Sequence, residues 1–172
     1  RFGARSAAGV PEEEIVRLCD LAHRFGAKVY VAMNTLLYEQ ELADAERIAC
    51  RMWNAGADAL IVQDMAFLRM ELPPVELHAS TQVCNTDPQR VRFLSEAGFT
   101  RVILERALSL EEIGRLSRAA DVEIETFVHG AICVSYSGRC YMSRTMGPRS
   151  GNRGDCSQSC RLPYDLLDER MR

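Results

Sequence analysis

The feature that most constrains the fold of this chain is a regular alternation of short, β-type apolar runs with amphipathic helical patterns. The predicted β-strands are 28–33, 59–62, 75–80, 101–105 and 122–128. The connections are of the length that a crossover helix needs, and crossovers join parallel strands. The alternation therefore predicts an α/β fold with helices outside a parallel sheet, either a doubly wound sheet or a TIM-type barrel.

Boundary signals delimit the helical patterns. Pro11 precedes a run of acidic residues at the start of the first pattern, as is typical of a helix N-terminus. Asp87 can cap a helix, and Ser109 with Glu112 forms a capping box. The predicted helices are 11–26, 39–54, 66–70, 87–98 and one that begins after Ser109.

Polar residues follow each predicted strand at the point where a loop to the next helix begins. They are Asn34, Thr35, Gln63, Asp64, Ser80, Thr81, Gln82, Glu105, Arg106 and His129. In TIM-type barrels the carboxyl ends of the strands converge on the active site, so this pattern favours the barrel. Five strands do not close a barrel: either flanking sequence supplies the others, or the sheet is open. The predicted fold is an incomplete TIM-barrel-like (β/α) domain over residues 1–128, followed by a Cys/Gly/Arg-rich loop segment, 129–172, that continues the same domain.

Three strand-end residues are candidates for acid/base chemistry. Glu105 and Asp64 carry carboxyl groups, and His129 is a candidate general base or metal ligand. A histidine that closes a strand is as often a structural hydrogen-bond donor. The side-chain amides at the strand ends are predicted to contact the substrate: Asn34, Gln63 and Gln82. The chain has no G-x-S-x-G, H-E-x-x-H, Walker A or G-x-G-x-x-G motif, so standard hydrolase and nucleotide-binding functions lose support.

Four cysteines mark the loop segment as a functional centre. Cys133, Cys140, Cys156 and Cys160 have the spacing C-x6-C-x15-C-x3-C, which matches neither a zinc ribbon nor the common ferredoxin run. Thiolate ligands favour zinc or an iron–sulfur cluster. The alternative is four unconnected thiols. The whole chain has seven cysteines, an odd number, and no export signal, which argues against disulfides; Cys19 and Cys50 lie on predicted helices as core residues, and Cys84 stays undecided.

The same segment is rich in arginine and tyrosine. These residues are Tyr136, Arg139, Tyr141, Arg144, Arg149, Arg153, Arg161 and Tyr164. Arginine binds phosphate and tyrosine stacks on bases, as single-stranded nucleic-acid sites require. The predicted substrate contacts in the segment are Tyr136, Arg139, Tyr141, Arg149 and Arg153. The alternative is that the arginines neutralise a thiolate cluster and the acidic mouth of the barrel.

Overall composition adds little to the functional argument. The net charge is −3, so an argument for nucleic acid depends on the local charge of the loop segment. No apolar run reaches the roughly 18 residues of a membrane helix, and no signal peptide opens the chain, so a cytoplasmic protein is predicted. The chain lacks an initiator Met and ends in a polar run, which indicates a fragment.

Several sequence blocks resemble those of the collagenase-like peptidases, the unclassified-type peptidase family 32. They are RFGARSAAG, VYVAMNTLL, DALIVQD, ELHASTQ, ETFVHGAICVSYSGRCYMS and SGNRGDCSQSCRLPY, in the family's order. The resemblance covers essentially the whole chain. It implies a TIM-barrel-like N-terminal domain, of which this chain lacks the first two strands and whatever follows residue 172.

The resemblance also implies an activity that the family name does not describe. Better understood members are oxygen-independent hydroxylases with a [4Fe-4S] cluster; some modify a cytidine of 23S ribosomal RNA and others a tRNA wobble uridine, with prephenate linked to the hydroxyl group. The SGNRG and C-x3-C-R-L-P-Y blocks are most similar to the ribosomal RNA branch. Cys133, Cys140 and Cys156 match cluster ligands in relatives. For the fourth ligand, Cys160 competes with a cysteine that some members have further downstream.

Three functional hypotheses follow. The first is an iron–sulfur RNA hydroxylase, which acts on an unstacked pyrimidine. The second is a peptidase, for which the sequence supplies no recognisable nucleophile and base. The third is a non-catalytic binding or assembly subunit with a structural zinc ion.

Overall fold

The computed structural model describes residues 2–3, 9–119 and 121–170. Within them, five parallel strands form one sheet, and each strand pairs with the next along the chain. The strands are β1 (Tyr30–Met33), β2 (Ala59–Val62), β3 (Glu76–Ala79), β4 (Arg101–Ile103) and β5 (Glu123–Glu125). A doubly wound sheet grows in both directions from its first strands, whereas a barrel adds every strand on the same side. The strand order therefore confirms the incomplete TIM-barrel-like fold.

The helices cover the connections between strands as predicted, with small differences in extent. They are α1 (Glu12–Arg24), α2 (Leu42–Asn54), α3 (Pro88–Glu96), α4 (Leu110–Ser117) and α5 (Met142–Met146). The predicted helix at 66–70 is a 3-10 helix, Met65–Arg69. Strand β5 is shorter than predicted because its ladder with β4 ends at the pair Ile103 and Glu125. The short helix α5 lies in the loop segment, where the sequence pattern predicts no regular structure.

One face of the sheet packs on the helices and forms the hydrophobic core. Leu60, Val62 and Val102 alternate with residues of the opposite face and are fully buried. Ala49 of α2 and Leu94 of α3, both with no exposed surface, belong to the same cluster. Burial on this face fixes the strand register, because a shift by one residue would turn the apolar side chains away from the helices.

The opposite face of the sheet carries a polar network that centres on His78. The His78 and Tyr30 rings meet edge to face, with their centroids 4.6 Å apart. The guanidinium of Arg101 lies 5.2 Å from the centre of the Tyr30 ring and 3.1 Å from a Glu125 carboxylate oxygen. His78 has no exposed surface, and its Nε2 lies 3.4 Å from Glu76 Oε2. Burial, with a further contribution from Arg101, lowers the pKa of His78 and outweighs the opposite effect of the two glutamates.

We expect His78 to make stability depend on pH. Since its pKa is lower in the folded state than the value of about 6.5 in the unfolded chain, protonation below that pH favours unfolding. The free energy of unfolding should therefore fall as the pH drops from 7 through about 6.5. His78→Gln should flatten this slope, as followed by urea denaturation at several pH values. An unchanged slope in His78→Gln would contradict the assignment.

In the described part of the chain, no helix is long and apolar enough to span a lipid bilayer.

Candidate functional site

The polar residues that follow β1 and β3 meet around one hydroxyl group. The Asn34 amide donates a hydrogen bond to Ser80 Oγ over 3.2 Å, and the backbone N–H of Gln82 donates to the same oxygen over 3.1 Å. Ser80 thereby caps the 3-10 helix Thr81–Val83. The sequence predicted that the strand ends converge, and Asn34 and Gln82 do meet at the Ser80 hydroxyl.

Asp64 holds the loop after β1 against the end of β2. One carboxylate oxygen accepts the backbone N–H of Ala66 over 2.9 Å, and the other accepts that of Leu37 over 2.8 Å. Both oxygens therefore organise backbone, the first as a helix N-cap. The predicted acid/base role of Asp64 stays a prediction.

The loop segment lies across the strand ends at Ser137 and Gly138. The Ser137 hydroxyl donates to Glu105 Oε1 over 3.1 Å, and both side chains are buried. Gly138 packs on Gln82 and Gln63, so two consecutive residues of the segment contact the ends of β2, β3 and β4. Sequence reasoning selected Glu105, Gln63 and Gln82 but missed Ser137 and Gly138. The one sequence feature that could have indicated this contact is the pair of small residues, Ser-Gly, inside SYSGRC.

Two glycines in the segment allow this close approach. Gly138 has a left-handed φ of +73°, and a Cβ there would lie 1.7 Å from the Gln82 carbonyl oxygen and 2.9 Å from Gln63 Nε2. Gly154 has a φ of +78°, and its Cβ would lie 2.4 Å from the Gly3 carbonyl oxygen. No side chain other than hydrogen fits at either position without moving backbone.

We expect Gly138→Ala to displace the segment and destabilise the protein. The strained φ costs on the order of 1–3 kcal/mol, and the clash with the Gln82 carbonyl adds to it. Gly147→Ala is the matched control, because its Cβ meets nothing within 4 Å among the described residues and its backbone is extended. Urea unfolding of both variants measures the difference. Equal stability of the two would show that the contact does not hold the segment.

Arg153 fastens the segment to the loop after β1. Its guanidinium donates to Glu41 Oε1 over 2.7 Å and to the carbonyl oxygen of Leu36, and it lies 4.3 Å from the centre of the Tyr38 ring. The Leu36 N–H donates in turn to the Asn152 carbonyl over 3.1 Å. The pairing of Arg153 with Glu41 agrees with the alternative prediction, in which the arginines of the segment neutralise acidic residues at the mouth of the barrel. Its predicted contact with substrate stays a prediction.

Removal of the Arg153 guanidinium should loosen the segment. A hydrogen bond to a charged, largely buried partner contributes about 1.5–3 kcal/mol, so Arg153→Met should lower the free energy of local opening by that order. Amide hydrogen exchange in residues 151–161 should show the loss of protection. Arg144→Met serves as control, because Arg144 is exposed and its guanidinium donates to the nearby Pro148 carbonyl, over 3.4 Å, rather than to the barrel. A similar loss in both variants would contradict a specific docking role.

The other predicted arginine and tyrosine contacts lie on the surface. Tyr136 and Tyr141 are 68% and 64% exposed, and Arg139 is exposed as well. Arg149 pairs with Asp155 over 2.8 Å and donates to the Cys156 carbonyl oxygen over 3.2 Å. His129 is also exposed. The segment thus presents aromatic faces and a cation outward, next to the strand ends.

Four free thiols lie in the segment, three of them exposed. Cys133, Cys156 and Cys160 are exposed and Cys140 is half-buried. Ser143 of α5 contacts Cys156 Sγ over 3.8 Å and accepts the N–H of Ser157 over 3.0 Å, which ties the turn around Cys156 to the helix that follows Cys140. Arg161, next to Cys160, donates to the carbonyl oxygen of Ile132, next to Cys133, over 3.0 Å. This hydrogen bond links the two stretches of backbone that carry these cysteines.

The donor chemistry of this set fits a thiophilic metal centre. Free thiols in irregular backbone, linked through their neighbours, can supply thiolates to zinc or to an iron–sulfur cluster. Among the described residues, no three His, Cys, Asp or Glu side chains are grouped closely enough to hold a metal ion. Metal ligation by the four cysteines therefore stays a prediction.

The cysteines outside the segment differ from one another. Cys19 is buried in the core, as predicted from its helix position, whereas Cys50 is only half-buried. Cys84, which the sequence left undecided, is buried with a left-handed φ of 66° at the end of the turn after β3.

Fold and site together define a protein of the (β/α)-barrel type with a cysteine-rich segment seated on the carboxyl ends of its strands. The family model of Peptidase family U32 matches residues 1–172, and the chain belongs to this family. This confirms the resemblance that the sequence blocks indicated.

Comparison with known proteins adds three relatives. The chain is 49% identical over 171 residues to the 23S rRNA 5-hydroxycytidine C2501 synthase of Escherichia coli, an alignment that covers 99% of this chain and 26% of that protein. It is 39% identical over 169 residues to the tRNA hydroxylation protein P1 of Bacillus subtilis, covering 96% and 40%. It is 30% identical over 178 residues to a protein named collagenase from Porphyromonas gingivalis, covering 96% and 43%. The chain thus spans between a quarter and a half of the length of these relatives.

A solved structure supports the fold. The structure of the U32 peptidase Mk0906 aligns with a TM-score of 0.59 at 18% identity, over 73% of this chain and 56% of that one. At this identity the likeness concerns the fold alone.

Proposed function

We propose that this chain is part of an iron–sulfur-dependent, oxygen-independent hydroxylase that acts on a pyrimidine of RNA, of the 23S rRNA cytidine type. The observation that carries the proposal is the 49% identity to an rRNA 5-hydroxycytidine synthase over a region that contains both the strand ends and the cysteine segment. The tRNA hydroxylation proteins among the relatives support the broader class of RNA hydroxylation. A cytoplasmic location is part of the proposal, and a ribosomal or transfer RNA substrate supports it.

The exposed side chains of the segment suit an RNA substrate. A pyrimidine C5 is poorly accessible inside a stacked helix, so the base must be unstacked. Tyr136 and Tyr141 offer exposed rings on which an unstacked base or its neighbours can stack, and Arg139 offers a phosphate contact beside them. All three flank Ser137 and Gly138, so bound RNA would lie directly over the strand ends.

The thiolates of Cys133, Cys140, Cys156 and Cys160 are the proposed ligands of a [4Fe-4S] cluster, with a cysteine outside this chain as the alternative fourth ligand. Such a cluster supplies redox or Lewis-acid chemistry that protein side chains lack. Replacement of C5–H by C5–OH inserts one oxygen atom and oxidises the base by two electrons. The proposed oxygen donor is prephenate, as the family resemblance implies; in giving up its hydroxyl oxygen it would be reduced by the two electrons that the base loses.

The peptidase hypothesis has the collagenase-named relative in its favour. Within the described residues, however, no histidine pairs with a serine, threonine or cysteine: His23 contacts Asp58, His78 contacts Glu76, and His129 is exposed. A nucleophile activated by a base requires such a pair within hydrogen-bond reach. Glu105 accepts the Ser137 hydroxyl through one carboxylate oxygen. Its other oxygen has no hydrogen-bond partner among the described residues, so no third residue orients the pair as in a catalytic triad. The described residues therefore lack the histidine-based pair of a nucleophilic peptidase, which counts against this hypothesis.

The proposal is tested in cells by deletion and complementation. Mass spectrometry of digested rRNA and tRNA should show loss of a 5-hydroxypyrimidine on deletion of the gene. The wild-type gene should restore the modification, and Cys156→Ser should not, because a hydroxyl is a poor substitute for a thiolate ligand. Cys50→Ser, on α2 and outside the segment, is the matched control and should restore it. Unchanged 5-hydroxypyrimidine content after deletion would refute the function.

A further inference from the structure

Four polar atoms near the carboxyl ends of the strands are buried without a hydrogen-bond partner among the described residues. They are Gln63 Oε1, Thr81 Oγ1, Asn85 Oδ1 and Glu105 Oε2. Each of these side chains is more than nine-tenths buried. Buried polar groups are nearly always paired, so a group of unpaired atoms at the end of a barrel requires an explanation. A ligand that donates hydrogen bonds to them is one.

Two of these side chains, Gln63 and Glu105, contact consecutive residues of the loop segment through their other polar atom. The Ser137 hydroxyl donates to the other Glu105 oxygen over 3.1 Å, and the Gln63 amide packs against Gly138. The turn Ser137–Gly138 therefore contacts both the Glu105 carboxylate and the Gln63 amide, which follow β4 and β2 on either side of β3. Both unpaired atoms are oxygens that accept hydrogen bonds.

We propose that Gln63 and Glu105 receive the exocyclic amino group of a cytosine base, and that Ser137–Gly138 covers them until the base enters. This inference rests on the proposed function and assigns the residues that select its cytidine base. The amino group of cytosine has two N–H donors, one for each unpaired oxygen. The Ser137 hydroxyl donates to the other carboxylate oxygen, Oε1, so the base takes the oxygen of Glu105 that Ser137 leaves unpaired.

The same geometry discriminates against uracil and positions the reacting carbon. Uracil carries a carbonyl oxygen where cytosine carries the amino group, and this oxygen would face two acceptors without a proton between them. C5 is bonded to the carbon that bears the amino group. A base anchored through that group therefore holds C5 close to the strand ends, below the cysteine segment.

The test is the binding of short, unstructured RNA oligonucleotides to the full-length protein, purified anaerobically with its native metal content. The oligonucleotides differ at one central base: cytidine, uridine or N4,N4-dimethylcytidine, which keeps the ring but has no N–H donor. By fluorescence anisotropy, we expect the wild-type protein to bind the cytidine oligonucleotide at least about tenfold more tightly than either of the others. The dimethylated base tests the proposal even if a variant fails to fold.

Glu105→Gln should reduce the preference for cytidine over uridine to about threefold or less, because the new amide group offers a donor to the uracil carbonyl. Glu96→Gln, at an exposed position of α3, is the matched control and should keep the wild-type preference. Equal binding of the three oligonucleotides, no binding of any, or an unchanged preference in Glu105→Gln would overturn the inference.

The two proposals fail in distinguishable ways. If deletion removes 5-hydroxyuridine from RNA and the oligonucleotides show no cytidine preference, the hydroxylase stands and the cytosine site is refuted. If the cytidine preference depends on Glu105 but deletion changes no 5-hydroxypyrimidine, the base site stands and the hydroxylase is refuted.

Discussion

The backbone contact between Gly138 and the carbonyl of Gln82 is the constraint on which the geometry of the site depends. It lets the backbone of the cysteine segment approach the strand ends closely. A Cβ at residue 138 would lie 1.7 Å from the Gln82 carbonyl oxygen and would force the segment away from the strands. With Gly138 in place, Ser137 reaches Glu105 and the aromatic residues on either side stay at the surface. Arg153 and Glu41 fix the other end of the segment to the loop after β1. The segment is therefore a covering layer on the barrel end, held at two points.

This arrangement separates three tasks among three groups of residues. The strand ends provide buried hydrogen-bond acceptors, the turn at Ser137–Gly138 covers them, and the surface above carries the exposed tyrosines and arginine that we propose bind a single strand. The thiols lie in the same covering layer. An RNA hydroxylase needs all of these at one place: a site for an unstacked base, a surface for the strand and a redox centre beside them. The positions of the groups that the proposed hydroxylation would use thus follow from where the segment is fastened.

The barrel-type fold was predictable because its signals are local. Apolar runs, capping residues and crossover lengths specify strands and helices, and the pattern of polar residues at strand ends is enough to select Gln63 and Glu105. Contacts between distant residues carry no such signal. Nothing in the sequence pairs Arg153 with Glu41, 112 residues away, or shows that Gly138 must touch Gln82. Asp64 is recognisable as a strand-end carboxylate, but its two backbone partners follow only from how the neighbouring loops pack.

The central claim is that the four-cysteine segment carries an iron–sulfur cluster over a site for an RNA base. The most direct test is anaerobic purification of the full-length protein, followed by iron, sulfide and zinc analysis and by absorption spectroscopy. The account predicts about four iron and four sulfide per chain with the broad visible absorption of a [4Fe-4S] cluster. Stoichiometric zinc without iron or sulfide would contradict it and would support a structural metal site instead.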